Sequence, residues 1–135
     1  MDDAIYIERL ANGNFLLGVH IADVSYYVRE NTPLDKEARE RGTSVYLVDR
    51  VLPMLPRRLS NGICSLNAGE DRLAMSIEME IDYRGKVLKY EIFPSIIKVH
   101  TRLTYNIVRQ ILVDNDEALR QEHAKLMEQI GRAHV

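Results

Sequence analysis

Two adjacent carboxylates, Asp2 and Asp3, stand directly before the first apolar run of the chain, Ala4 to Leu10. A second apolar run, Phe15 to Ala22, follows after Ala11-Asn12-Gly13-Asn14. Asn-Gly between two such runs is a strong hairpin signal, because both central positions of a type I′ turn need positive φ. With Asn12 and Gly13 as a two-residue turn, residues whose numbers sum to 25 face each other, so Leu10 meets Phe15 and Asp2 meets Asp23. Like charges opposed on a sheet are destabilising, and three carboxylates at one strand end call for a cation. Oxygen ligands of this kind suit Mg²⁺, with Mn²⁺ as the second choice. Such acids are the apparatus of two-metal phosphoryl chemistry, where the ions activate water and stabilise the oxygens of an in-line displacement. The set is short for that task. It competes with two plainer readings, solvated acids at a chain end and Asp23 as N-cap of the Val24-Ser25-Tyr26-Tyr27 segment.

Aromatic and basic groups form the second candidate set. In Thr43-Ser44-Val45-Tyr46-Leu47, alternation places Ser44 and Tyr46 on one face and Val45 and Leu47 on the other, with the apolar pair expected to face the core. Tyr46, with Arg50 nearby, could stack on a base of single-stranded nucleic acid. The plainer reading is a tyrosine covering an apolar edge. His20, inside an apolar strand, reads as a packed and hydrogen-bonded histidine, and Cys64, between Ile63 and Ser65, as a small buried hydrophobe.

The elements that would position these groups are legible in the pattern. Thr32-Pro33 opens a short, mostly surface-facing helix through Glu40, stopped by Gly42. Ser44 to Val48 reads as a strand. Arg50 to Gly69 reads as a long loop that packs through its apolar residues, Leu55 and Ile63 among them. Leu73, Met75, Ile77, Met79 and Ile81 alternate with small or polar residues, the period of a half-buried strand. A turn at Tyr83 to Lys86 leads to a second run from Val87 to about Thr101, where Pro94 demands an edge or a bulge. From Thr104 the period becomes helical, with Ile107, Ile111 and Leu112 on one face, and Asp116 caps a second helix through Leu119, Leu126 and Ile130. Strands first and helices last predict an α+β fold: antiparallel hairpins and a mixed sheet followed by C-terminal helices.

Composition bounds the partners. The 135 residues are 46% hydrophobic and 28% charged, as in one ordinary globular domain, which buries enough surface to fold without a structural metal or disulfide. Eighteen Lys and Arg against twenty Asp and Glu leave a net charge of -2, so a nucleic-acid role must come from a local site. The single cysteine suits a reducing compartment, with the cytoplasm as the default expectation. No run approaches the roughly 18 consecutive apolar residues of a membrane span.

Asp2-Asp3-Ala4, GVHIADVSYYV (18–28), PLDKEARERGTSVYLVDRVLPMLP (33–56) and LSNGICSLN (59–67) together resemble the catalytic RNB domain of the ribonuclease II and R family, closer in wording to the R branch. The likeness continues through LAMSIEMEID and IFPSIIKVHTRLTY, covering nearly the whole chain. It implies a processive, Mg²⁺-dependent hydrolysis of single-stranded RNA from the 3′ end to nucleoside 5′-monophosphates. Asp2 and Asp3 match the last acidic pair of the family's Asp-x-Asp-Asp-Ala motif, while Met1 stands at the apolar position before them. Two metal-site aspartates of the family therefore have no counterpart, and the chain alone is expected to be inactive or nearly so, with a non-catalytic RNA-binding module as the alternative. Tyr46 matches the tyrosine that stacks on a base near the RNA 3′ end, and Arg50 lies close to it. The resemblance further implies a monomeric full-length protein, with cold-shock and S1 domains outside this chain.

Residues 1–130 are read as the N-terminal portion of that catalytic domain. The final Ile130-Gly131-Arg132-Ala133-His134-Val135 back-translates to a DNA sequencing adapter, so residues 131–135 are expected to be a non-native tail, against a helix C-cap at Gly131.

Overall fold

The computed structural model describes residues 3–114 and 117–123. Strands β1 (Ala4–Arg9), β2 (Phe15–Ala22), β5 (Asp71–Ile81) and β6 (Val87–Lys98) form one antiparallel sheet in the order β1-β2-β5-β6. Between β2 and β5 lie helices α1 (Val24–Tyr27) and α2 (Pro33–Arg41), a two-stranded ribbon of β3 (Val45–Tyr46) and β4 (Val51–Leu52), and a π-helical turn at Leu59–Ile63. Helices α3 (Tyr105–Leu112) and α4 (Glu117–Glu122) come last. The α+β expectation holds. Among the described residues, the parallel pairing is the isolated bridge of Ala68 to Val99, held by the Gly69 amide donating to the Val99 carbonyl at 2.8 Å.

Local chemistry accounts for the boundaries. The Thr32 hydroxyl caps α2 by accepting from the Asp35 amide at 3.3 Å, and Gly42 ends the helix at φ 68°, a conformation that costs a glycine little. Asp35 and Glu37 each precede an arginine by four residues and pair with Arg39 and Arg41, the favourable orientation on a helix surface. Thr104 caps α3 through the Ile107 amide at 3.2 Å, and Ile111 is fully buried. Pro94 is tolerated because β6 is an edge strand, paired only with β5. The apolar members of the second α4 stretch, Leu126 and Ile130, and its proposed cap Asp116 lie outside the described residues, as do residues 131–135.

The first hairpin differs from expectation by one residue, with a direct physical cause. Its loop holds three residues, Ala11-Asn12-Gly13, closed by Leu10 N–H donating to the Asn14 carbonyl at 2.8 Å and Gly13 N–H to the Leu10 carbonyl at 3.0 Å. Gly13 takes φ 87°, the left-handed position that follows a type I turn in a three-residue hairpin. Facing residues therefore sum to 24, as in Ala4 with His20 and Arg9 with Phe15. The second hairpin uses the same device, with Gly85 at φ 81° and the Asp82 carboxylate accepting from the amides of Arg84 and Lys86.

That register sorts the sheet into two unlike faces. Ile5, Leu17, Val19, Ile21, Met75, Ile77, Tyr90 and Ile92 share one face, by alternation and pairing. The other carries Gly18, His20, Ala22, Ala74, Ser76 and Glu80, and includes the most deeply buried residues of the sheet. The Arg72 guanidinium on that face donates to the Ser65 carbonyl at 3.0 Å, which ties the segment after the π-helical turn to it. Leu55 and Cys64 are buried, so the long segment from Arg50 to Gly69 is packed in part, while Val51, Leu52 and Ile63, expected to pack, are exposed, the first two because no other strand joins the ribbon.

Candidate functional site

The acidic candidates start at the head of β1. Asp3 is exposed and immediately precedes the strand. Asp2 lies outside the described residues. The expected opposition of Asp2 and Asp23 rested on the two-residue turn and lapses with it. Asp23 follows β2, where its amide donates to the Leu73 carbonyl at 3.0 Å. Its Oδ1 accepts from the Tyr26 amide at 3.1 Å and from the Ser25 hydroxyl at 2.6 Å, so the N-cap role is realised. Both contacts use the same carboxylate oxygen. Among the described residues, no three His, Cys, Asp or Glu side chains gather at one point.

Tyr46 is placed by a different logic. β3 and β4 are joined by pairing of Val45 with Leu52 and Tyr46 with Val51, and the ribbon is anchored from below by the Ser44 hydroxyl accepting from the Met54 amide at 2.9 Å. Arg41 donates to the Pro53 carbonyl at 3.2 Å, which fixes the ribbon's return to α2. Two residues per strand cannot make a second packed face, and the ribbon joins no other strand. Val45 and Leu47 are therefore exposed, at 44% and 49%, instead of facing the core as the alternation suggested. Tyr46 stands at 77% exposure.

Arg50 closes the turn between β3 and β4, its carbonyl accepting from the Leu47 amide at 2.8 Å, and forms a forked ion pair with its neighbour Asp49, through Nε at 3.1 Å and a terminal nitrogen at 2.8 Å. That contact holds the Asp49 carboxyl below its ordinary range. Exposed pairs of this type contribute little and yield to a stronger anion. Arg39 and Arg41 are likewise paired with acids, so these three arginines are locally neutralised. Arg57 and Arg58 are exposed and in no ion pair among the described residues. They stand just before the π-helical turn.

Two part-buried polar networks hold the sheet. The His20 ring Nδ1 lies 2.6 Å from the Ser76 hydroxyl, which lies 2.5 Å from the Ser95 hydroxyl. This makes His20 the packed, hydrogen-bonded residue expected. Glu80 accepts from the Asn14 amide nitrogen at 2.6 Å, the Lys89 ammonium at 2.9 Å and the Asn12 amide nitrogen at 2.9 Å. These three donors lower its carboxyl to about 2. Cys64 is buried, and desolvation, aided by the negative charge of Asp23, pushes its thiol up. It is a packing residue.

Comparison with known proteins decides the family. The RNB domain model matches residues 1–134. The chain belongs to the RNB domain family. It is 63% identical over 113 residues to ribonuclease R of Thermotoga maritima, covering 84% of this chain and 16% of that protein. Ribonuclease R 1 of Lactococcus lactis is 58% identical over 130 residues, 96% of this chain and 16% of that protein. Among solved structures, Mycoplasma genitalium RNase R in complex with ribose methylated single-stranded RNA superposes with a TM-score of 0.80 at 35% identity, covering 90% of this chain and 20% of that one. The RNB chain thus spans about one sixth of the length of the curated relatives it matches. Its family is one of 3′–5′ exoribonucleases, and its sheet and helices match the RNB fold.

Proposed function

We propose that this chain contributes the Asp2, Asp3 and Tyr46 part of an exoribonuclease centre that hydrolyses single-stranded RNA from its 3′ end, one nucleoside 5′-monophosphate at a time. The exposure of Tyr46 on a ribbon anchored to α2 carries the reading, since an exposed ring is what a splayed base needs. Arg50 lies near it and can exchange Asp49 for a backbone phosphate. Asp2 and Asp3 are the ligands in this scheme. Asp23 is a third candidate, its cap contacts both using the same carboxylate oxygen. All are oxygen donors, which fits Mg²⁺ or Mn²⁺. A bound ion would supply an activated water and charge stabilisation at the phosphoryl oxygens. The chain's own residues would hold the ion, stack the terminal base and steady the backbone.

Two or three carboxylates are few for a two-ion centre, so the 135-residue chain by itself is proposed to be inactive or nearly so. A non-catalytic RNA-binding module is the second reading, carried by the same Tyr46 surface, which needs no ion to stack a base. A cytoplasmic setting and cold-shock and S1 domains outside this chain complete the proposal. The experiment is incubation of the purified chain with end-labelled single-stranded RNA and Mg²⁺ or Mn²⁺. RNA binding with little or no mononucleotide release is expected. Robust mononucleotide release refutes the inactivity of the chain, and absence of any RNA binding refutes the role of Tyr46.

A further inference from the structure

The first hairpin has two loops open to it, and its own strands do not choose between them. Asn12-Gly13 fits a two-residue type I′ turn as well as the three-residue loop that forms. β1 carries apolar residues on both sides, Ala4 and Tyr6 on one, Ile5 and Ile7 on the other, so alternation specifies its register only loosely. The choice is made across the sheet. Glu80 stands on β5, only 8% exposed, where the regular pairing of β5 with β6 shifts between it and Ile81. Its Oε1 accepts from the side-chain amides of both Asn12 at 2.9 Å and Asn14 at 2.6 Å, and its Oε2 from the Lys89 ammonium of β6 at 2.9 Å. Asn12 in turn accepts from the Asn14 backbone amide at 3.0 Å and stays out of the positive-φ region that a type I′ turn demands of it.

We propose that Glu80 is a positioning residue for the acids that lead into β1: its clasp on Asn12 and Asn14 selects the three-residue loop, and so fixes the side of the sheet on which Asp3 stands. The loop and Asp3 lie at opposite ends of β1, a strand of six residues and roughly 20 Å. A strand carries the choice over that distance because its side-chain period is two. Slipping β1 by one residue onto the two-residue loop reverses the side of every residue on it, so that Tyr6 faces Val19 instead of Gly18 and Glu8 faces Leu17 instead of Leu16. The consequence for a metal ion rests on the reading of Asp2 and Asp3 as ligands, whereas the register lock rests on the hydrogen bonds alone. Glu80 itself touches neither ion nor RNA in this scheme.

Nuclear magnetic resonance of the 135-residue chain tests both steps, with cross-strand proton contacts reporting the register and paramagnetic broadening by added Mn²⁺ reporting the acids. The parent chain is expected to show Tyr6 against Gly18 alone, with Mn²⁺ broadening the amides beside Asp3. Glu80→Leu removes the acceptor and is expected to raise the slipped form at least roughly tenfold, the effect of one hydrogen bond to a charged group. A second set of contacts then places Tyr6 against Val19, and the set of broadened amides changes with it. Glu80→Gln keeps Oε1 and should hold a single register, which separates the clasp from the ion pair with Lys89. Asn12→Asp keeps a turn-forming residue before Gly13 but sets a carboxylate against Glu80, and gives the same reading from an exposed loop position if Glu80→Leu misfolds. One unchanged register in both Glu80→Leu and Asn12→Asp overturns the proposal and shows that the close fit of Tyr6 to Gly18 suffices. A slipped register with the same amides broadened as in the parent overturns the positioning role and leaves the metal reading intact. Absence of broadening in the parent refutes the metal reading and the positioning role with it, while the contacts still report the lock.

Discussion

Removing the Tyr46 ring tests the link between the ribbon and RNA most directly. At 77% exposure the ring contributes little to folding, and an exposed substitution of this kind shifts stability by no more than about 0.5 kcal/mol. Stacking of one base on an aromatic ring is worth roughly 1 to 3 kcal/mol. Tyr46→Ala should therefore weaken binding of a short single-stranded RNA by roughly 5- to 150-fold, since about 1.4 kcal/mol is tenfold in affinity. Tyr46→Phe keeps the π-face and should bind within about threefold of the parent chain. The ring is uncharged, so the slope of log affinity against log salt should be the same for all three proteins. Fluorescence anisotropy with a labelled oligonucleotide at three salt concentrations, beside thermal melts of each variant, reads all these quantities. Equal affinity of Tyr46→Ala and the parent chain would refute the stacking role. A loss that tracks a drop in melting temperature would show instead that the ribbon needs the ring to fold.

The remaining predictions concern the framework. Glu80 has its carboxyl lowered to about 2 from an ordinary 4.5, so it contributes stability that is present above about 4.5 and lost as pH falls towards 2. Glu80→Gln should flatten the pH dependence of denaturant midpoints across that window, and an unchanged acid limb would show that the Asn12, Asn14 and Lys89 contacts are not made in solution. At Gly18 a Cβ would lie 3.0 Å from His20 Nε2 and 3.4 Å from Tyr6 Cβ. Gly18→Ala should therefore cost about 1 to 3 kcal/mol in urea unfolding, the range for overpacking a close contact; a neutral result would mean that the His20 ring moves aside freely.

How much was legible beforehand differs between fold and site. Turn chemistry, caps and periodicity are short-range, and they located the strands at 15–22 and 73–81, the α2 helix after Thr32, the α3 start at Thr104 and the edge position of Pro94. The hairpin register was not legible to the residue, because Asn-Gly serves both two- and three-residue loops. The choice here goes with Glu80, which is 66 and 68 positions away in sequence from Asn14, beside the loop, and Asn12, within it, both of which it binds. That shift by one undid the predicted meeting of Asp2 with Asp23. The ribbon of β3 and β4 was half visible, since alternation marked β3 but could not say that nothing would pack on it.

From residue types and order alone came the α+β class, the packed roles of His20 and Cys64, and the resemblance that singled out Asp2, Asp3 and Tyr46. Tertiary structure alone decided that Asp23 spends one oxygen on a helix cap and that Arg50 is held by Asp49. It also decided that Tyr46 projects freely and that a sheet face rich in isoleucine is left open. The division has a physical basis. Propensity, caps and turns act over a few residues, whereas register, ion pairing and exposure depend on which distant segments arrive beside them.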